Sequence, residues 1–277
     1  MMRIAIMADI HGNLPAFEAA LKHAAQQKVD RIILAGDIVN GSPDSQACWA
    51  LALSLGCPIL RGNHERYVAH FGTPQASPQW ALEQFAPLHW AVEQLSAQDR
   101  QCMETLPHHI RLPEAPDLLI VHASERDDHD TVQSHTPEPV LHEMFPTAQE
   151  RYIVRAHNHY GQVRVWEKGF IITCGSVGLP LDGNPTAQYL LLDQHKSGWN
   201  IQHQSVPYRL EAALSRFHDT GYLSATGPMG RLFFREVVTA AQQIVPFLRL
   251  YSQWSQHENI SLAQAVDRFL SGSGSDV

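Results

Sequence analysis

Five short segments of this chain carry residue types that bind cations and move protons. They are Asp9-Ile10-His11-Gly12-Asn13, Gly36-Asp37, Gly62-Asn63-His64-Glu65, His122 and His157-Asn158-His159. A carboxylate beside imidazoles suits manganese, iron, zinc or nickel. Asp9 and His11, two apart in an extended turn, can aim at one point. Asp37 has two oxygens with which to bridge two cations. Asn63 offers a neutral oxygen, which leaves the site positive enough to hold a phosphate. His157 and His159 supply two imidazoles that can reach neighbouring ions. With Asp37 shared, the seven residues Asp9, His11, Asp37, Asn63, His122, His157 and His159 make eight contacts. That number fits two cations better than a single-metal or redox site. A cation pair is the usual apparatus for hydrolysing phosphate esters. His64, adjacent to Asn63, remains free to donate a proton.

The elements around these segments place them on one edge. Ile4 to Ala8 reads as a buried strand, and Asn13 caps a helix with Pro15 in its first turn, running to about Gln26. Arg31 to Ala35 reads as a second strand, Asp44 to Leu55 as a helix after Ser42-Pro43, and Pro58 to Leu60 as a third strand. This β-α-β-α-β order predicts a parallel sheet with Asp9, Asp37 and Asn63-His64 at the carboxyl ends of its strands, the edge where open α/β sheets build sites. Residues 66–107 read as short amphipathic helices broken by Pro74, Pro78 and Pro87. Strands resume at His109–Leu112, Leu118–Val121, Tyr152–Arg155, Gln162–Trp166, Phe170–Thr173, Gln188–Leu192 and Trp199–Val206. Residues 123–150 read as loop with a short helix near Val140–Met144. Helical patterns fill 208–217 and most of 231–271.

Bulk properties narrow the class. The 277 residues are 44% hydrophobic, enough for a substantial core, and the formal net charge is -8. No block of lysine or arginine stands out, which argues against a nucleic-acid footprint. Bound cations would let an acidic chain hold a small phosphorylated substrate. Cys48, Cys57, Cys102 and Cys174 are scattered, so a reducing cytoplasm is the expected setting. No run approaches the ~20 apolar residues that span a membrane. His108, His109, His129, His135 and His142 read as ordinary surface or loop histidines.

The order D-x-H, G-D, G-N-H, H and H-x-H resembles the calcineurin-like metallophosphoesterases over roughly residues 2–230, and is most similar to the small bacterial phosphodiesterases among them. Ala8 to Ala16, Gly36-Asp37-Ile38-Val39, Trp90 to Leu95, Val121-His122-Ala123-Ser124 and Gly175-Ser176-Val177-Gly178 carry the likeness to that branch. The resemblance implies an α/β fold, an αββα sandwich of two mixed sheets flanked by helices, with residues 1–230 as the main domain. It implies one cation on Asp9, His11, Asp37 and His159 and a second on Asp37, Asn63, His122 and His157, with manganese or iron favoured. It implies attack on phosphorus by a hydroxide held on the cations, with His64 at the position that assists the leaving group. Two departures stand out: Ala156-His157-Asn158-His159 where the family usually has Gly-His-Thr-His, and Thr173-Cys174 before Gly175-Ser176 where it often has Asn-Pro. Neither removes a ligand, and both are expected to reshape the substrate pocket.

Within this reading, phosphodiester hydrolysis leads. Dinucleoside polyphosphates remain open as substrates. Protein phosphatases share Arg61 to Glu65, but the segment Ile38 to Ser42 lacks the arginine they bring toward the phosphate. A scaffold that has lost turnover would not need His64. Beyond the resembling region, Phe234, Val237, Val238, Ala241, Ile244, Val245, Leu248 and Tyr251 recur at helical spacing, interrupted by Pro246, which is expected to kink or end a helix. A stripe of this size must be covered. It packs on the chain's own core, forms a homodimer contact, or makes a lid near the metal edge with Phe247 or Trp254 at its rim. Residues 272–277 read as a flexible tail.

Overall fold

The computed structural model describes residues 2–272. Strand β1 (Arg3–Met7) alternates in burial direction. Ile4, Ile6 and Ala8 face one side of their sheet, while Ala5 and Met7 face the other. Strand β4 (Ala115–Val121) does the same, with Leu118 and Ile120 on one face and Leu119 and Val121 opposite. Apolar residues on both faces require cover on both faces. The result is four layers.

One sheet has β2 (Arg31–Leu34) and β1 in parallel, followed by antiparallel β8 (Ala187–His195) and β9 (Gly198–Val206), in the order β2-β1-β8-β9. The second has the order β3-β4-β5-β7-β6, from β3 (His109–Leu112), β5 (Tyr152–Arg155), β6 (Gly161–Trp166) and β7 (Gly169–Cys174). Its β4-β5-β7 centre is parallel and its edges are antiparallel. Ile4, Ile6 and Ile33 meet Leu118, Ile120, Val154 and Ile172 between the sheets. Helices α1 (Leu14–Gln26) and α2 (Ser45–Ser54) cover the first sheet through Phe17, Ala20 and Trp49. Helix α6 (Glu138–Met144) covers the second through Leu141 and Met144, below Leu119, Val121 and Ile153. The chain is thus an αββα sandwich of two mixed sheets. Asn13 caps α1, its side-chain oxygen accepting from Ala16 N at 3.3 Å.

The strand expected at Pro58–Leu60 is only an isolated bridge, Leu34 to Ile59. Pro58 has no N–H to give, so the pairing reduces to Leu34 N on Pro58 O and Leu60 N on Leu34 O. Asn63 and His64 consequently sit not on a loop but in the first turn of α3 (Asn63–His70), which starts at Gly62. The 66–107 region continues with α4 (Ala86–Gln94) and α5 (Ala97–Glu104).

The C-terminal part is more helical than expected. After α7 (Leu210–Asp219), α8 runs Tyr222–Thr239, across the boundary expected at residue 230. In the fold, Gly227 takes a non-helical φ of 54° and Pro228 restarts the helix just beyond it, so two helical pieces abut. The break assigned to Pro246 falls instead at Ala240, in the left-handed region, and Pro246 lies in the first turn of α9 (Ile244–His257), where a missing N–H costs nothing. Phe247, expected at a rim, is fully buried with Met229, Leu232, Leu262 and Val266. Trp254 packs on the same cluster under the Arg268 guanidinium, 4.3 Å from the ring centre. Core packing is therefore one fate of the apolar stripe, with Val237 and Phe234 also joining Leu179, Phe217 and Tyr222 of the main body. Ser271 and Gly272 close α10 (Leu262–Gly272), and the rest of the expected tail lies outside the described residues. Among the described residues, no helix is long and apolar enough to cross a membrane.

Candidate metal centre

The loops leaving β1, β2, β4 and β5, together with the start of α3, converge at one edge of the sandwich. Their backbone is unusual. Of the nine non-glycine residues with positive φ among the described residues, six lie here: Asp9, His11, Asp37, Asn40, His157 and His159, with φ between 49° and 67°. Aspartate, asparagine and histidine tolerate this region better than most, yet each such residue still costs about 1–3 kcal/mol. Packing must hold them there. At Gly36 a Cβ would come within 2.7 Å of His122 Nδ1, and at Gly62 within 2.2 Å of Asp37 Oδ1, so the strand ends meet at distances only glycine allows.

The side chains converge in two groups that share one residue. Ligand atoms of Asp9, His11, Asp37 and His159 lie within 4.8 Å of one another, and so do those of Asp37, His122 and His157. Asn63 belongs with the second group: its Oδ1 is 3.1 Å from His122 Nε2 and 3.1 Å from His157 Nδ1. Asp37 Oδ2 is 3.2 Å from His122 Nε2 and 3.8 Å from His11 Nε2, between the groups. All seven residues singled out in the sequence are thus brought together.

Hydrogen bonds on the far side of each ring fix which nitrogen faces inward. His11 Nδ1 is 2.8 Å from Asn40 O, His122 Nδ1 is 2.8 Å from Ala35 O and His159 Nδ1 is 2.7 Å from Leu179 O. A carbonyl oxygen only accepts, so Nδ1 carries the proton in all three, and Nε2 turns a lone pair into the site. This is the outer arrangement that metal-binding histidines ordinarily have. His11 Nε2 and His159 Nε2 then face each other at 3.0 Å, two lone pairs that repel without a positive charge nearby. Burial, then the neighbouring rings of His64 and His159, holds His11 well below its usual range, so a proton is a poor choice for that charge. A divalent cation fits: two nitrogens each about 2.1 Å from one ion, at a right angle, are about 3.0 Å apart.

The carboxylates agree. Burial pushes Asp9 up to about 6, with His159 and His122 opposing. Burial acts the same way on Asp37, but the imidazoles of His122 and His64 outweigh it and hold Asp37 well below the carboxylate range. Asp37 in turn raises His122 to about 10 against the effect of burial. Without metal, then, the His122 ring is charged and carries a second proton on Nε2, facing Asp37 at 3.2 Å, and metal binding must release that proton to free the lone pair.

His64 stands apart from both groups. Its Nε2 lies 4.0 Å from Asp37 Oδ2, and its Nδ1 is 2.8 Å from Asn40 Nδ2. An amide nitrogen donates, so Nδ1 accepts and Nε2 carries the proton of the neutral ring. Burial is the main cause that lowers His64 below its usual range and favours that neutral form.

Three neighbours gave no clear signal in sequence. Asn40 orients both His11, through its backbone carbonyl, and His64, through its side-chain amide. Its only hint was the Asn-Gly pair, an ordinary turn signature. Glu65 is fully buried, and its carboxylate accepts from Asp37 N (2.7 Å), Ile38 N (2.7 Å), Gly62 N (2.9 Å) and Val39 N (3.3 Å). It ties the β2 loop to the start of α3. His129, read as an ordinary loop residue, reaches the rim of the site. Its ring centre is 6.1 Å from that of His157, and Asp128, itself gripped by Arg66 at 2.6 and 3.0 Å, pairs with its Nδ1 at 2.5 Å. Position 158 does not point at the site as a ligand would. Asn158 accepts from the buried Arg155 at 2.7 Å and donates to Val132 O at 2.7 Å, so it braces the His-x-His turn from beneath.

A cleft of about 450 Å³ opens from His11, His64, His157 and His159 toward α8 and α9. Its far wall comes from the C-terminal helices. The segment expected either to pack or to form a lid packs through one face and borders this cleft with another.

Comparisons with known proteins agree with this geometry. The family model of the calcineurin-like phosphoesterases matches residues 2–161. The uncharacterized protein MJ0912 of Methanocaldococcus jannaschii is 22% identical over 227 residues, covering 77% of this chain and 90% of its own. A metallophosphoesterase from Sphaerobacter thermophilus superposes with a TM-score of 0.69 at 24% identity, covering 87% of this chain and 99% of its own. The hypothetical protein PH1004 from Pyrococcus horikoshii OT3 superposes with a TM-score of 0.69 at 18% identity, covering 84% and 98%. With its fold, its strained edge and its two ligand groups joined through Asp37, this chain belongs to the calcineurin-like phosphoesterase family and is a metal-dependent hydrolase of phosphate esters.

Proposed function

We propose that the chain is a two-metal phosphodiesterase. Asp9, His11, Asp37 and His159 hold one divalent cation. Asp37, Asn63, His122 and His157 hold the other. The observation that carries this reading is the pair of ligand groups sharing Asp37, with inward lone pairs fixed by carbonyls behind them. The mixed nitrogen and oxygen donors favour manganese or iron, with zinc and nickel as alternatives. Cations bound there supply positive charge to phosphate oxygens and a water that ionises near neutral pH.

The chain's own residues do the rest. Asn63 contributes an oxygen without charge, which keeps the second group less anionic than a carboxylate would. His64 presents Nε2–H toward the site and donates to the departing alkoxide oxygen. Asn40 holds the other nitrogen of the ring. Its own Oδ1 is buried without a protein partner, so a half-turn of the amide would accept from a protonated Nδ1. Asn40 thereby supports His64 whether the ring is neutral or charged. The segment after Asp37 thus brings an amide to His64, where protein phosphatases bring an arginine to phosphate. This favours small esters over phosphoproteins.

The test is turnover by metal-stripped protein reloaded with Mn²⁺, Fe²⁺, Zn²⁺ or Ni²⁺, on phosphomonoesters, phosphodiesters, cyclic nucleotides and dinucleoside polyphosphates. The expected result is diester hydrolysis exceeding monoester hydrolysis. Turnover confined to monoesters, or none with any metal, would refute the proposal.

A further inference from the structure

Helix α9 turns two faces to different neighbours. Phe247, Leu248 and Tyr251 pack into the helical cluster, while Val245 and Arg249, one turn apart, face the metal-edge cleft. Val245 is 52% exposed, a large apolar side chain left open to solvent inside a cleft. Phe233 of α8, together with Ile244 and Leu181, extends this apolar wall. Arg249 differs from Arg231 and Arg268 of the same segment. Arg231 pairs with Asp267 at 2.6 Å, and Arg268 pairs with Glu258 at 2.9 Å. The guanidinium of Arg249 has no hydrogen bond or ion pair to any described residue. The one carboxylate lining the cleft beside it, Glu236, is turned back to accept from Gln243 N (2.7 Å) and Ile244 N (3.0 Å). The cleft therefore runs from the metal ligands, along an apolar wall, to an unpaired planar cation.

We infer that the C-terminal helices select the substrate, an organic phosphoester carrying a second anionic group, which Arg249 binds while the group between the two anions lies on Phe233 and Val245. This rests on the phosphoesterase reading of the metal edge. A guanidinium grips phosphate or carboxylate through two parallel N–H bonds, which a lone surface charge does not match. The metal edge takes the phosphate to be cleaved, and the apolar wall favours an intervening aromatic or aliphatic body over a bare polyphosphate.

The test measures binding, not turnover, on the full chain loaded with Mn²⁺. Calorimetry gives the affinities of phenylphosphonate and 1,4-phenylenebisphosphonate, uncleavable compounds that share an aromatic body and differ by one anion at its far end. The wild type should prefer the bisphosphonate by roughly tenfold or more, the size expected of one charged hydrogen-bonded pair. Arg249→Gln should bring that ratio close to one, and Arg249→Lys should keep part of it. Arg249 is exposed, and an unchanged thermal midpoint will show that each variant folds. A ratio near one in the wild type, or a ratio that survives Arg249→Gln, overturns the role of Arg249 and leaves the metal edge standing. Binding of neither ligand by protein shown to contain its metal overturns both.

Discussion

Glu65→Gln is the sharpest test of how the metal edge is held together. In the wild type, one carboxylate oxygen accepts from Asp37 N and Gly62 N and the other from Ile38 N and Val39 N, four backbone donors in a site with no solvent access. Glutamine has the same shape but replaces one acceptor with an NH2 group. Whichever way the amide turns, two backbone N–H groups face a donor. The less costly orientation gives up Ile38 N and Val39 N, because the Val39 contact is the longest at 3.3 Å. An unsatisfied buried donor costs about 1–3 kcal/mol, so the substitution should destabilise by about 2–6 kcal/mol. That is a large part of a typical domain's stability. The assay is guanidinium denaturation of the metal-free protein, with Glu83→Gln on the surface as control. The midpoint should fall and the slope should hold. Metal content should fall as well, because Asp37 loses the contact that sets its backbone. A loss below about 1 kcal/mol, with metal content intact, would refute the idea that Glu65 holds the Asp37 loop.

Other substitutions separate the parts. Asp37→Ala should abolish binding of both cations, as read by metal analysis; retention of one tightly held ion would show that the two groups do not depend on a shared carboxylate. His64→Ala should lower kcat on alkyl esters by about 10²–10⁴-fold while metal content stays near that of the wild type; equal losses on alkyl and nitrophenyl esters would remove it from leaving-group assistance. Asn40→Ala should cost about 10–100-fold in activity through the loss of the amide that supports His64, while the backbone carbonyl on His11 remains, and unchanged kinetics would refute this positioning role. Glu236 gives a pH prediction. Burial raises it to about 7 from 4.5, so between those values the folded state keeps a proton that the unfolded state has lost. Its contribution therefore makes stability fall as pH rises from about 4.5 to about 7, by about 3 kcal/mol, and then level off. Glu236→Gln should flatten that part of the urea-denaturation profile, and an unaltered slope would refute the assignment.

Much of the site was legible because its chemistry is local. Asp-x-His and His-x-His declare ligands by residue type, and the apolar runs before them declare strand ends, since side chains buried on both faces leave few alternatives. The central strands β1, β4, β5, β7 and β8 were legible for the same reason, while the edge strands β6 and β9 alternate buried and exposed residues. Pro58–Leu60 was not: its apolar residues have strand character, but whether a ladder forms depends on donors across the gap, and proline brings none. Helices over 208–217 and most of 231–271 were legible, but the start of α8 at Tyr222 was not, because a Gly-Pro pair at 227–228 ordinarily breaks a helix. Packing of Tyr222 from the first piece with Val237 from the second, beside Leu179 and Phe217, keeps the two pieces together. Residue type and order thus determined the ligand set, the layered α/β class and the kind of chemistry. Tertiary structure alone decided which ring nitrogen faces the site, that Glu65 and Asn40 hold its loops, and that α8 and α9 wall the cleft. Those are relations between residues 20 to more than 200 positions apart, set by backbone carbonyls, buried N–H groups and packing, and no local pattern of residue types encodes them.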